Sequence, residues 1–173
     1  GDSAIVDSSN NAKTFTTNFS AQLASGADYK YFGNYGGYFG SSRGMSDCYS
    51  ADSPDYNLGT SDFTFDFWYK PINATSATSH IMGQPESLRM TLISGKMYCY
   101  VNSSTGLTTT YSFTNGNWYH IAVTRSSGTI AIYINGDYQN SISESTISDS
   151  SSAFCIGSDG NNTPEGEFYF DEI

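Results

Sequence analysis

Apolar and polar residues alternate with a period of two along most of the chain, and no long stretch carries the apolar stripe of an amphipathic helix. The cleanest run is Phe63 to Tyr69, with Phe63, Phe65, Phe67 and Tyr69 on one side and Thr64, Asp66 and Trp68 on the other. Pro71 ends it, because proline lacks the donor that a sheet ladder needs. Leu88, Met90 and Leu92 alternate up to Ser94-Gly95, and Met97, Cys99 and Val101 alternate away from it, which predicts a hairpin about a two-residue turn. That register leaves Tyr98 and Tyr100 on the opposite face. Further strands are predicted at Leu107 to Phe113 and, after Asn115-Gly116-Asn117, at Trp118 to Arg125.

The strongest local signal is Ile130, Ile132 and Ile134 leading into Asn135-Gly136, a pair that tolerates the positive φ angles of a type I′ turn. Asp137 to Gln139 begin the return strand. A Ser-rich stretch from Ser141 to Ser152 reads as an exposed loop that Ile142 and Ile147 could anchor. Short strands recur at Phe154 to Ile156 and Phe168 to Phe170. About ten or more short strands separated by turn signals predict an all-β sandwich or barrel of antiparallel sheets, and 173 residues suit one domain over 1–173.

Charge narrows the partners. Seven Lys plus Arg against 17 Asp plus Glu give a formal charge of −10, which disfavours nucleic acid because backbone recognition needs a basic patch. No apolar run is long enough for a membrane helix, so no membrane insertion is expected. Cys48, Cys99 and Cys155 cannot all pair within one chain, and their apolar surroundings favour small buried hydrophobes over a disulfide.

Several segments together resemble a known family. Tyr38-Phe39-Gly40, Asp52 to Gly59 and Asp62-Phe-Thr-Phe-Asp-Phe-Trp-Tyr-Lys-Pro71 look like the opening half of a laminin-G-like, concanavalin A-like jelly roll. Trp118 to Arg125, Tyr133-Ile134-Asn135-Gly136, Ile156-Gly157 and Phe170-Asp171-Glu172-Ile173 look like its closing half. The version with Ala-Val-Thr-Arg and Asp-Glu-Ile is similar to domains in structural proteins of tailed phages and in secreted adhesins. The resemblance implies a virion or extracellular setting and a non-catalytic binding or display role, with carbohydrate or other virion and surface proteins as partners. The alternatives are a purely structural assembly module, which would form a homo-oligomer or join another virion protein, and a glycan-active enzyme of the same fold. Cys48 departs from the family pattern, and the end at Ile173, short of the usual last strand, is expected of a fragment of a longer chain.

Candidate chemistry is sparse. Glycan hydrolysis needs two carboxylates flanking a cleft. Glu165 and Glu167 flank Gly166 after Thr163-Pro164 and read as loop residues, and the family's Glu-x-Asp-x-x-Glu strand is absent, so no catalytic residues are assigned. His80 reads as a solvated residue after a Thr/Ser-rich loop and His120 as a packed or edge histidine. Two histidines without a Cys-x-x-Cys pair make zinc improbable. Calcium is the cofactor the resemblance implies, with Asp7 and Asp171 brought together if the terminal strands pair; the plainer reading is that Asp7 caps a turn. Carbohydrate binding needs exposed aromatic platforms with polar neighbours, and the candidates are Tyr98 with Tyr100, and Tyr31 with Tyr35 among Tyr29 and a run of glycines. The competing reading makes these tyrosines ordinary edge residues. Asn18, Asn73, Asn102 and Asn161 open sequons that matter only in a eukaryotic secretory protein.

Overall fold

A computed structural model describes residues 10–19, 21–40, 46–73, 78–158 and 166–172. Its strands are β1 (Thr16–Phe19), β2 (Gln22–Ala24), β3 (Gly36–Phe39), β4 (Ser46–Ser50), β5 (Phe63–Pro71), β6 (Thr78–Gly83) and β7 (Leu88–Ile93). They continue as β8 (Lys96–Val101), β9 (Ser104–Thr108), β10 (Tyr119–Ser126), β11 (Thr129–Ile134), β12 (Asp137–Ser143), β13 (Phe154–Ile156) and β14 (Phe168–Asp171). Apart from a short 3-10 turn at Pro54–Tyr56, the described regular structure is all β.

Two antiparallel sheets of seven strands face each other, ordered β1-β4-β13-β6-β7-β8-β9 and β12-β11-β10-β5-β14-β3-β2. The sandwich and its single hydrophobic core follow from the alternation. On β5, Phe67 and Tyr69 are buried while Thr64 and Asp66 are exposed; on β10, Ile121 and Val123 point inward. From the facing sheet come Ile81, Met90, Leu92, Met97, Cys99 and Leu107. Phe67 stacks on Phe170 at 4.7 Å and Phe39 on Phe168 at 5.1 Å, so β14 is held in mid-sheet by ring packing as well as by its ladders to β3 and β5. Each such side chain contributes about 1.5–3 kcal/mol on burial.

Both two-residue hairpins form as expected. Ser94 and Gly95 take φ of 49° and 73°, and Asn135 and Gly136 take 52° and 85°, the left-handed pairs that a type I′ turn requires. The return strand after Asn135-Gly136 is longer than its sequence suggests: β12 runs to Ser143 across a bulge at Ile132/Tyr133. The Ser-rich stretch is therefore strand at its start. Beyond it Ile147 is buried and bridges to Gly59, while Ile142 packs against the core. Conversely, the strand predicted over Leu107 to Phe113 is shifted to Ser104–Thr108.

At one end of the core, Arg125 occupies an inward position of β10 and is almost fully buried. Its guanidinium donates to the carbonyls of Ser61 (2.9 Å), Glu144 (3.0 Å) and Ser145 (2.6 Å), tying two loops to the sandwich. Cys48, Cys99 and Cys155 are all buried, and lack of solvation pushes the Cys99 thiol up to about 12.

Candidate functional site

The outer face of β6 to β9 carries the first tyrosine pair. Alternation on β8 sends Met97, Cys99 and Val101 inward, so Lys96, Tyr98 and Tyr100 point out. The antiparallel register sets Arg89 of β7 opposite Tyr100 and Thr91 opposite Tyr98. Arg89 lies over the Tyr100 ring, its guanidinium carbon 4.6 Å from the centroid, and Tyr98 and Tyr100 lie 6.4 Å apart with their planes 27° from parallel. A guanidinium over a tyrosine face gains from the ring quadrupole while its outer N–H groups stay available.

One row further, His80 of β6 is paired with Thr91, and Thr108 of β9 with Tyr98. The His80 Nδ1 and Thr91 Oγ1 are 3.1 Å apart. His80 is thus a half-buried strand residue rather than a solvated loop residue, because Thr78 to Gly83 forms an inner strand between β13 and β7. Thr91 is 1% exposed although it lies on the outward row, so the rings and imidazole around it make the floor of this face inset rather than flat.

Charge is segregated along the chain in this face's favour. Strands β6 to β9 contain no Asp or Glu, and the whole stretch from Thr78 to Thr108 holds one acid, Glu86, exposed in the turn before β7. Arg89 and Lys96 are therefore cations on strands that carry no acid, in a chain of net charge −10. Neither tyrosine nor Arg89 is buried, so all three are reachable.

The other tyrosine candidates fall on the opposite sheet. Trp68 of β5, His120 of β10 and Asp171 of β14 share one outward row, since Trp68 pairs with both His120 and Asp171. Asp171 Oδ2 accepts the backbone N–H groups of Tyr31 (2.7 Å) and Phe32 (2.8 Å), and its Oδ1 accepts from Glu172 N (3.1 Å). That clamp folds the loop before β3 onto the sheet and lays Tyr31 flat on Trp68, 3.6 Å between centroids and 12° between planes. Tyr35 is exposed but outside this stack. Tyr98 with Tyr100 and Tyr31 with Trp68 are thus two surfaces on opposite faces of the sandwich.

The Asp171 carboxylate is engaged by three amides, and Asp7 lies outside the described residues. Among the described residues no group of three or more His, Cys, Asp or Glu side chains gathers where it could hold a metal. Glu165 and Asn161 likewise lie outside the described residues. Asn102 is described: its amide donates to Thr146 O and its Oδ1 accepts from Ser148 N, so this sequon is part of a turn network.

Sequence reasoning missed Arg89, Trp68, Trp118 and His120 as surface-forming residues. The signal was present for Trp68 and His120, both large side chains on the polar side of an alternating strand. The pairing that brings them together is set by strand register.

A family model described as the concanavalin A-like lectin/glucanases superfamily matches residues 44–173. Solved structures sharing the fold include the botulinum neurotoxin serotype D binding domain, with TM-score 0.72 and 16% identity over 97% of this chain and 44% of that one. Domain 4 of AbnA, a GH43 extracellular arabinanase from Geobacillus stearothermophilus in complex with arabinotriose, aligns with TM-score 0.68 and 20% identity over 98% of this chain and 87% of that one. The carbohydrate-binding module CBM66 from Bacillus subtilis aligns with TM-score 0.53 and 14% identity over 92% of each chain. The chain spans less than half the length of the neurotoxin chains it matches. No curated protein sequence matches it. Identities this low carry the fold and nothing finer.

Proposed function

Because this chain belongs to the concanavalin A-like lectin/glucanases superfamily, we propose that it is a non-catalytic binding domain whose ligand is an acidic glycan held on the outer face of β6 to β9. The observation that carries the proposal is the pairing of Arg89 and the tyrosines on strands without an acidic residue. A sugar ring stacks its apolar face on Tyr98 or Tyr100, and a carboxylate or sulfate on that ring meets the guanidinium of Arg89, which is matched to planar oxyanions. Lys96 adds long-range attraction, and the hydroxyls of Thr91 and Thr108 with the His80 imidazole suit hydroxyl recognition.

Two carboxylates are needed for hydrolysis by this superfamily's usual chemistry, and strands β6 to β9 offer none, which supports binding without turnover. A carbohydrate-binding module and an arabinanase domain seen with arabinotriose share the fold, which supports a saccharide as the ligand class. The proposed setting is a phage particle or a cell exterior, on the resemblance of Asp62 to Pro71 and Phe170 to Ile173 to domains found there.

A glycan array carrying uronate, sulfated and neutral glycans tests this, read with the wild type and with Arg89→Ala. Anionic hits that disappear in Arg89→Ala are expected. Hits confined to neutral glycans and unchanged by Arg89→Ala, or release of sugar from any bound polysaccharide, would overturn it.

A further inference from the structure

Beneath the Tyr31 stack the second sheet forms an open cleft of about 550 Å³, lined by Tyr31, Trp68, Trp118, His120, Asn135 and Gly136. We propose that this cleft is a second binding site, independent of the Arg89 face, and that its ligand is an uncharged saccharide.

The walls are aromatic. Tyr31 covers Trp68 on one side and meets Trp118 edge-on at 5.9 Å, while its own ring remains 45% exposed. Burying aromatic rings is favourable, so rings left open to water in a concavity are a surface with stabilisation still to gain. The clamp from Asp171 holds Tyr31 in place beforehand, which lowers the ordering cost of binding.

The rim is polar, and its groups are oriented. Asn135 Oδ1 accepts the backbone N–H of His120 (2.9 Å), which fixes the side chain and leaves its amide N–H groups without a partner among the described residues. His120 Nε2 lies 3.0 Å from Asp66 Oδ2, so the imidazole is oriented, and its Nδ1 has no hydrogen-bond partner among the described residues. Gly136 faces open space, with nothing within 4 Å of where a Cβ would stand, so the turn does not obstruct entry. An apolar wall beside fixed amide and imidazole groups matches a pyranose, which has one apolar face and a girdle of hydroxyls.

The surroundings select against anions. Asp66 and Asp171 sit on this outer face, and Asp28 and Glu167 lie near it. Burial first, then neighbouring tyrosines and these acids, push the Tyr169 hydroxyl above its ordinary range; burial and Glu167 do the same to Tyr38. Two cations lie nearby, each tied to a loop carbonyl: Lys70, 5.9 Å from the Trp118 centroid and 5.7 Å from the Tyr169 centroid, donates to Asp28 O, and Lys30, next to Tyr31, donates to Gly33 O at 2.7 Å. A uronate would be repelled by these carboxylates, whereas a neutral sugar carries no charge for them to repel.

Trp68 and Trp118 are the chain's two tryptophans, so intrinsic tryptophan fluorescence reports on this cleft and on nothing else. The full chain is titrated with methyl glycosides of glucose, galactose, mannose and xylose, and with glucuronate and galacturonate. At least one neutral glycoside is expected to give a saturable change in tryptophan emission. Neither uronate is expected to reach one tenth of its affinity. Tyr31→Ala should weaken the response at least tenfold, and Asn135→Gly, which keeps the turn but removes the amide, at least threefold. Binding of anionic glycans at the Arg89 face should be unchanged in both. No saturable response to any neutral glycoside, equal responses to uronates, or a response that persists at full affinity in folded Tyr31→Ala would overturn the assignment. Arg89→Ala should leave the tryptophan response untouched, so this site and the Arg89 face fail or succeed separately.

Discussion

The two outer faces of the sandwich share one core and one alternation rule, yet they differ in chemistry. On β6 to β9 the outward positions hold Arg89, Lys96, two tyrosines and hydroxyls, and no acid; on β5, β10 and β14 they hold Trp68, His120, Asp66 and Asp171. The first face sets its cations on strands without acids in an otherwise acidic chain. The second presents carboxylates and offers larger rings. In a two-layer fold the inward residues fix the architecture, while each outward set is free to take its own ligand class.

A change in the shared core should remove the distinction by damaging both faces together. Phe67→Ala empties a fully buried ring site stacked on Phe170 and is expected to cost about 3–5 kcal/mol, seen as a lower denaturation midpoint with both binding activities falling in parallel. Arg89→Ala should instead sharpen the contrast. Loss of a charge-assisted pair costs about 1.5–3 kcal/mol, which corresponds to roughly tenfold or more in affinity for an anionic glycan by calorimetry, with the thermal midpoint unchanged. Asp171→Ala removes the charged acceptor for two loop amides and should cost about 1.5–3 kcal/mol in stability and weaken only the tryptophan-reported site.

The smallest effect lies between the faces. Tyr69 is fully buried and its hydroxyl has no hydrogen-bond partner among the described residues, so Tyr69→Phe is expected to raise stability by about 1 kcal/mol in urea unfolding. Burial pushes the Tyr69 hydroxyl and the Cys99 thiol up, the latter to about 12. Groups raised in the folded state hold their protons longer than in the unfolded chain, where they titrate near 9 to 10. Their stabilising contribution is complete below that range and is lost as pH rises through it toward the folded values. Unfolding midpoints should therefore fall between about pH 9 and 12, less steeply in Tyr69→Phe.

Much of the sandwich was legible from period two. The Phe63 to Tyr69 run, the Ser94-Gly95 and Asn135-Gly136 hairpins and the outward Tyr98 and Tyr100 all appear as read. Strands β1, β2, β4 and β6 were not, because Thr16–Phe19, Gln22–Ala24 and Ser46–Ser50 are short and rich in small polar residues, and β6 follows a Thr/Ser-rich stretch that reads as loop. The sites were legible only in halves. Alternation shows which side of its own strand Tyr100 or Trp68 occupies, but Arg89 reaches Tyr100, and His120 reaches Trp68, through register between strands. Tyr31 reaches Trp68 across a long separation through a loop clamped by Asp171, a residue expected at a metal and found holding amides.

The most direct test of the central claim is the salt dependence of affinity for an array-selected anionic glycan, measured by calorimetry on wild type, Arg89→Ala and Tyr31→Ala. Wild type and Tyr31→Ala should bind alike and weaken together as salt rises, while Arg89→Ala binds at least tenfold more weakly with a flatter salt slope. Equal affinity and equal slope in wild type and Arg89→Ala would contradict the assignment of the ligand to the outer face of β6 to β9.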